Sequence, residues 1–343
     1  MILCIAFLAK KKGEKGAYQN NIVNAIILIL AITINLIIVN FSHLSAIDFI
    51  IFPFDLFMIT FIILFLPFSY FLISRERKRV KLSKGLETGS EKQVMDQLPL
   101  KYEIYRKLSH LVVLAIICFY FTLGFLVQHF FIYVFQLLPE FFSELFFSVY
   151  NIEGDKMIFT QYLVVSLVGI SLISLLTVDF VRIFKPNIYP LKPVNRILRK
   201  KELHMRLGPH ISMSIGCFSI IILYGLFQPI GPLIICISMT MAIFGDINSN
   251  LIGRVLGKKN IRKTNKTYEG LIAGMITAFI SGIIILILLR EFFITSLLGF
   301  FIIPIIGALI IGFLDYLDLE IDDNLSYNFV LSTVLFFVSF III

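Results

Sequence analysis

The sequence has no tryptophan and only four cysteines, and just 15% of its 343 residues are charged. Each shortage excludes something. Without Trp, any aromatic belt at a membrane surface must rest on the 13 Tyr. Cys4, Cys118, Cys217 and Cys236 all sit in apolar stretches and form no CxxC pair. That spacing excludes a disulfide framework and a zinc site, and the four read as buried small hydrophobes. A soluble domain carries roughly 25% charged residues. The deficit here therefore excludes a soluble enzyme and a disordered chain.

Apolar residues take the place of charge. They make up 58% of the chain, with 36 Phe, and the mean hydropathy is +0.93. A membrane-crossing helix needs about 20 apolar residues. Nine stretches qualify, at roughly 21–39, 48–73, 110–138, 158–181, 209–227, 230–252, 269–289, 292–313 and 326–343. The expected fold is all-α, a polytopic membrane bundle of about nine transmembrane helices. Residues 1–10 are apolar but too short to cross, and they lack the basic start of a cleaved signal. The stretch 110–138 is long enough to predict a break near Gln128 and His129.

The net charge of +8 is a topology signal before it is anything else. Residues 75–107 hold 10 Lys or Arg, 182–206 hold 8, 254–266 hold 6 and 10–15 hold 4, together 28 of the 30. With nine spans, all four basic segments fall on one side. Lys156 and Arg290 fall on the other. The positive-inside rule places the basic side in the cytoplasm, where some of it can face anionic headgroups. A nucleic-acid partner is not expected. The polar run Ser83–Gln97 divides the chain. Residues 1–74 read as an accessory transmembrane pair, 75–99 as a cytoplasmic linker and 100–343 as the catalytic core.

Ionisable groups inside lipid are costly, at roughly 2.5–3.5 kcal/mol for a central Asp, so the few present are informative. Asp48 and Asp55 read as interfacial and structural. Asp179 lies near the inner end of the fourth span. Asp246 opens a richer block. On a helix, positions 246, 249, 250, 253 and 257 share one face, which carries Asp246, Ser249, Asn250, Gly253 and Gly257. A carboxylate beside an amide suits a hard cation such as Mg²⁺, and the glycines admit another backbone or a phosphate. The basic loop follows, then Lys266, Thr267, Glu269 and Gly270 at the start of a helix, a natural phosphate seat. Arg106 and His110 are one turn apart at the head of the third span. Asp315, Asp318, Glu320, Asp322 and Asp323 form an acidic patch on the basic face. Tight carboxylates repel one another without a cation, so the patch calls for the Lys/Arg loops, a divalent ion, or both.

The block Gly245-Asp246…Gly253…Gly257…Lys266-Thr267-x-Glu269-Gly270 resembles the signature of the CTP-using polyprenol and diacylglycerol kinases, which include dolichol kinase and phytol kinase. The same general pattern occurs in phosphatidate cytidylyltransferases. Three further segments are similar to the kinases: Arg106-Lys107…His110, then Asp179…Arg182 with Lys201-Glu202 and Gly208, and Asp322-Asp323-Asn324-Leu325. The Gly-His-Gly-Gly run of the transferases is missing. Asn248 and Asn250 depart from the small residues usual after the aspartate.

The resemblance, which covers about residues 104–330, implies a membrane lipid kinase. It would transfer the γ-phosphate of CTP to a polyprenol or diacylglycerol-like lipid at the cytoplasmic face. Asp246, Asp322 and Asp323 would hold Mg²⁺, with Asp246 and His110 in catalytic roles. Glu269 would orient Lys266 or assist proton removal. Arg106, Lys107, Glu202, Asn250, Gly253, Gly257, Lys266, Thr267 and Gly270 would bind the nucleotide. The alternatives are a CTP:lipid-phosphate cytidylyltransferase and, from another class, a transporter or a non-catalytic membrane scaffold. No P-loop or soluble-kinase signature is present.

Overall fold

A computed structural model describes residues 1–41, 54–83, 98–149, 154–262, 264, 266–293 and 296–342. The fold is an all-α bundle. Among the described residues, eight helices are long and apolar enough to cross a membrane. A ninth, Pro209–Tyr224, is apolar but only 16 residues long. In chain order the nine are Lys15–Phe41, Phe54–Ser83, Leu100–Gln136, Lys156–Phe184, Pro209–Tyr224, Ile230–Leu256, Tyr268–Leu288, Leu297–Leu317 and Asp323–Ile342. They match the nine expected stretches one to one and are called the first to ninth spans below.

The fifth span is about 24 Å long at about 1.5 Å per residue, short of the roughly 30 Å hydrocarbon core. Nearly all of it is buried between neighbours, so it does not face lipid along its length. The sixth span is the centre of the bundle, with 83% of its most apolar window buried. Its Ile234, Ile235, Ile237, Met239 and Met241 pack with Ile220 and Ile221 of the fifth span and Leu331 and Leu335 of the ninth. Other apolar side chains, such as Ile63, Leu64, Leu126, Phe130, Ile276 and Phe313, point outward. An apolar exterior around an apolar core is what lipid solvation permits.

Outward-facing apolar surface also corrects the reading of the cysteines. Cys217 and Cys236 are buried, but Cys4 and Cys118 are exposed, because a small hydrophobe gains nothing by hiding from lipid. The expected break near Gln128 and His129 is likewise absent. The helix runs through both, and Gln128 Nε2 donates to the Gly154 carbonyl at 3.1 Å. The irregular turns lie earlier, a 3-10 turn at Leu111–Leu114 and a π-turn at Phe119–Leu123. The π-turn ends on Gly124, where a Cβ would sit 2.1 Å from the Phe119 carbonyl oxygen.

The N-terminal helix Ile2–Lys11 does not cross; it buries Ile2, Ile5, Ala6 and Ala9. The first span is bonded into the rest of the bundle. Asn21 Nδ2 donates to the Met205 carbonyl at 2.7 Å, and the Leu207 N–H returns a bond to Asn21 Oδ1 at 3.0 Å. Asn24 donates to Ser212 Oγ and Asn35 to the Ile222 carbonyl. Most of the polar run Ser83–Gln97, and Asp48 with the side chain of Asp55, lie outside the described residues.

Candidate functional site

The four basic segments meet at one end of the bundle. Arg254 Nη1 donates to the Leu98 carbonyl at 3.0 Å, Arg106 reaches Glu202, and Asn21 holds the 205–207 turn. Between them lies a cavity of about 700 Å³. Its walls come from the start of the third span, the 199–206 loop, the end of the sixth span, the loop into the seventh, and the turn between the eighth and ninth.

Ion pairs organise this cavity. Lys107 is buried against Asp246, whose Oδ1 accepts from Asn250 Nδ2 at 2.7 Å. Arg106 Nη2 reaches Glu103 at 2.5 Å, and its Nη1 reaches Glu202 at 3.2 Å. Glu103 also takes Arg199 at 3.1 Å and Arg254 at 3.3 Å. One wholly buried carboxylate therefore draws three guanidiniums together, and Glu202 anchors the loop to the same knot. A second device holds that loop from behind. Asp179 pairs with Arg182 and accepts the Gly208 N–H at 3.2 Å. Arg182 donates to the carbonyls of Glu202 and Arg206 at 2.7 and 2.8 Å.

On the opposite wall Lys266 lies among Asp315, Asp318 and Asp323, at 2.9, 3.3 and 3.3 Å. Burial works against its charge, but these carboxylates outweigh it and raise the ammonium pKa. Asp315 is fixed further by Ser249 Oγ at 2.6 Å and Tyr327 Oη at 2.9 Å. Asp322 differs from the other acids. Its Oδ1 accepts the N–H and the side-chain amide of Asn324 at 3.0 and 2.7 Å. Among the described residues it makes no ion pair. Burial pushes its carboxyl pKa up, only partly opposed by the more distant Arg206 and Arg106.

The cavity therefore gathers Arg106, Lys107, Glu202, Asp246, Asn250, Gly253, Gly257, Lys266, Thr267, Asp322 and Asp323 from the sequence-derived set. Three members of that set are not on its walls. His110 is buried against His210, ring centroids 5.6 Å apart, with Nε2 unpartnered. Glu269 is half-buried, and its carboxylate is turned to the 258–259 backbone rather than to Lys266. It caps a turn, accepting the N–H groups of Lys258 and Lys259 at 3.1 and 3.3 Å. Gly270 serves packing: a Cβ there would lie 2.6 Å from the Ser249 carbonyl and 2.9 Å from Gly253 Cα. The glycines let the sixth and seventh spans touch backbone to backbone.

Thr267 caps the seventh span by accepting the Gly270 N–H at 3.2 Å. Among the described residues, no three His, Cys, Asp or Glu side chains converge as a preassembled metal cage. The donor set fits a looser arrangement, because Mg²⁺ with a nucleotide commonly takes one or two carboxylates and completes its shell with phosphates and water. Asp322 is suited to that role as a buried carboxylate without a cation.

Sequence reading missed Asn20, Arg206 and the pairing of His110 with His210. Asn20 Oδ1 accepts both Arg206 Nη2 at 3.3 Å and the Asp322 N–H at 2.9 Å. For Asn20 the signal was present: Asn20, Asn21 and Asn24 cluster at the head of an otherwise apolar span. No protein-family model, curated protein or solved structure matches this chain.

Proposed function

We propose that the protein is a membrane lipid kinase. It transfers the γ-phosphoryl group of a nucleoside triphosphate, CTP by resemblance, to the hydroxyl of a polyprenol or diacylglycerol-like lipid. The observation that carries this reading is the convergence of five distant segments on one polar cavity at one end of an apolar bundle. Its volume lies within the roughly 300–1,000 Å³ of small-molecule sites. The bias of basic residues supports a cytoplasmic mouth, where nucleotide is supplied. A transporter would more naturally carry its ionisable groups at the bilayer midplane.

In this reaction the lipid oxygen bonds to the γ-phosphorus, the bond to the β–γ bridging oxygen breaks, and the nucleoside diphosphate leaves. Catalysis is mostly positioning and charge neutralisation. Asp246 accepts the hydroxyl proton, oriented by Lys107 and Asn250. Asp322 would hold Mg²⁺, with Asp246 across the cavity, and the bound ion would neutralise phosphate charge. Lys266 keeps the acidic wall from self-repulsion.

The test is incubation of the purified protein with CTP labelled at the γ-position and candidate alcohol lipids. Label on the lipid with release of CDP is expected. Label in pyrophosphate, with cytidine on a lipid phosphate, would identify a cytidylyltransferase instead. Transfer to no lipid, with either CTP or ATP, would overturn the kinase reading.

A further inference from the structure

Seven cations line the cavity, and five are committed to carboxylates of the chain itself. Arg106, Arg199 and Arg254 share Glu103, Lys107 holds Asp246, and Lys266 holds three aspartates. Lys201 and Arg206 remain. Among the described residues neither makes an ion pair. Arg206 is 3% exposed, and its Nε is buried without an acceptor. Its contact with Asn20 is to a neutral amide oxygen. A buried guanidinium without a counter-ion is costly, and Asp322 does not approach closely enough to pair with it.

Lys201 lies on the same loop, five residues earlier. Partial desolvation at the cavity wall, with Arg206 and Arg199 beside it, lowers its ammonium pKa. The loop is not free to relax these repulsions. Arg182 grips the carbonyls of Glu202 and Arg206, and Asn21 donates to the Met205 carbonyl and accepts the Leu207 N–H. The scaffold thus holds two like charges together on a cavity wall. A planar guanidinium fork beside an ammonium is a fitting receptor for phosphate oxygens.

We infer that Lys201 and Arg206 form the seat for the terminal phosphates of a polyphosphate ligand, rather than the 258–266 loop. The identity of that ligand as a nucleotide rests on the kinase reading; the anion site itself rests on the unpaired charges.

The probe is inorganic tripolyphosphate, titrated calorimetrically into the full chain in detergent at low and high salt. Wild type should bind, with affinity falling as salt screens the charges. Arg206→Gln should weaken binding about tenfold or more, the loss expected for one charge-assisted hydrogen bond. Lys201→Gln should do the same to a lesser degree. Lys201 is largely exposed and, among the described residues, makes no side-chain hydrogen bond or ion pair, so it keeps the test open should Arg206→Gln misfold. Lys259→Gln, at an exposed residue that does not line the cavity, should bind as wild type does.

Absence of tripolyphosphate binding by wild type would overturn the site. So would wild-type affinity in Lys201→Gln with a loss in Lys259→Gln. Failure of γ-label transfer with intact tripolyphosphate binding would sink the kinase reading and leave the anion seat standing. Transfer by Lys201→Gln with an unchanged KM for CTP would do the reverse.

Discussion

Lys107 of the third span and Asp246 of the sixth are buried against each other across 139 residues of sequence. Among the described residues neither makes a second ion pair. The pair ties the cavity-facing ends of two spans together, and it also fixes the carboxylate to which the proposed reaction assigns the hydroxyl proton.

Removing one member should therefore cost more than removing both. Lys107→Met is expected to lower stability by about 3–5 kcal/mol, because it strands a buried carboxylate. Lys107→Met with Asp246→Leu should recover much of that loss and none of the turnover. Thermal unfolding of the singles and the double, as a mutant cycle, measures the coupling. Additive losses would mean that the two do not act as a pair.

Asp322→Asn should behave in the opposite way. The carboxyl pKa of Asp322 is raised in the fold, so its ionised form opposes folding at neutral pH and the opposition fades as pH falls. The amide removes that cost and still accepts from Asn324. Tm in metal-free buffer should hold or rise, while Mg²⁺-dependent turnover is lost. A marked fall in Tm would make Asp322 a structural residue and remove the best candidate for a metal ligand.

Lys266→Met leaves Asp315, Asp318 and Asp323 facing one another. A loss of about 1.5–3 kcal/mol is expected at pH 7, the size of a charged hydrogen bond. Because the ammonium pKa is raised, the wild-type contribution is complete below about 10.4, the unfolded value for lysine. It fades only as pH climbs further toward the folded value. The gap between mutant and wild type should thus be constant through neutral pH and narrow only in strong alkali. A gap that closes near pH 8 would contradict the three-carboxylate cradle.

The up-and-down order of spans is tested by cysteine labelling, after Cys4 and Cys118 are replaced because both are exposed. Lys12→Cys and Lys259→Cys should react with an impermeant reagent from the cytoplasmic side. Glu291→Cys should react from the other side only. Labelling of Lys12→Cys and Lys259→Cys from opposite faces would separate segments that the fold brings together, and the single cavity would go with them.

Much of the fold was legible because lipid imposes length and apolarity on each span. Among the described residues eight of the nine expected stretches are helices long enough to cross and the other is the shorter Pro209–Tyr224, and the basic segments meet at one end as their parity requires. The helix through Gln128 was misjudged because a single buried amide can be satisfied by one carbonyl, here that of Gly154, without breaking the helix. In the site, residue types were more legible than partners. Lys266 read as a phosphate ligand, but its own acidic wall holds it. Glu269 sits in a suggestive motif yet turns outward to cap two N–H groups. Arg206 gave no signal because a lone Arg in a basic loop looks like topology. Only the pairing of its neighbours exposes it as unpaired.

The bond from the Asp322 N–H to Asn20 joins residues 302 positions apart. Residues near the start of the chain thus wait for those near its end. During synthesis the first span enters the membrane long before the ninth exists; Asn21 and Asn24 find their distant partners once residues 205–212 have emerged, but Asn20 must wait for Asp322. Lys266 likewise meets its aspartates only after the eighth span has emerged. The cavity is the last part of the molecule to be completed, so a chain halted after the seventh span would hold most of the bundle and none of the acidic wall.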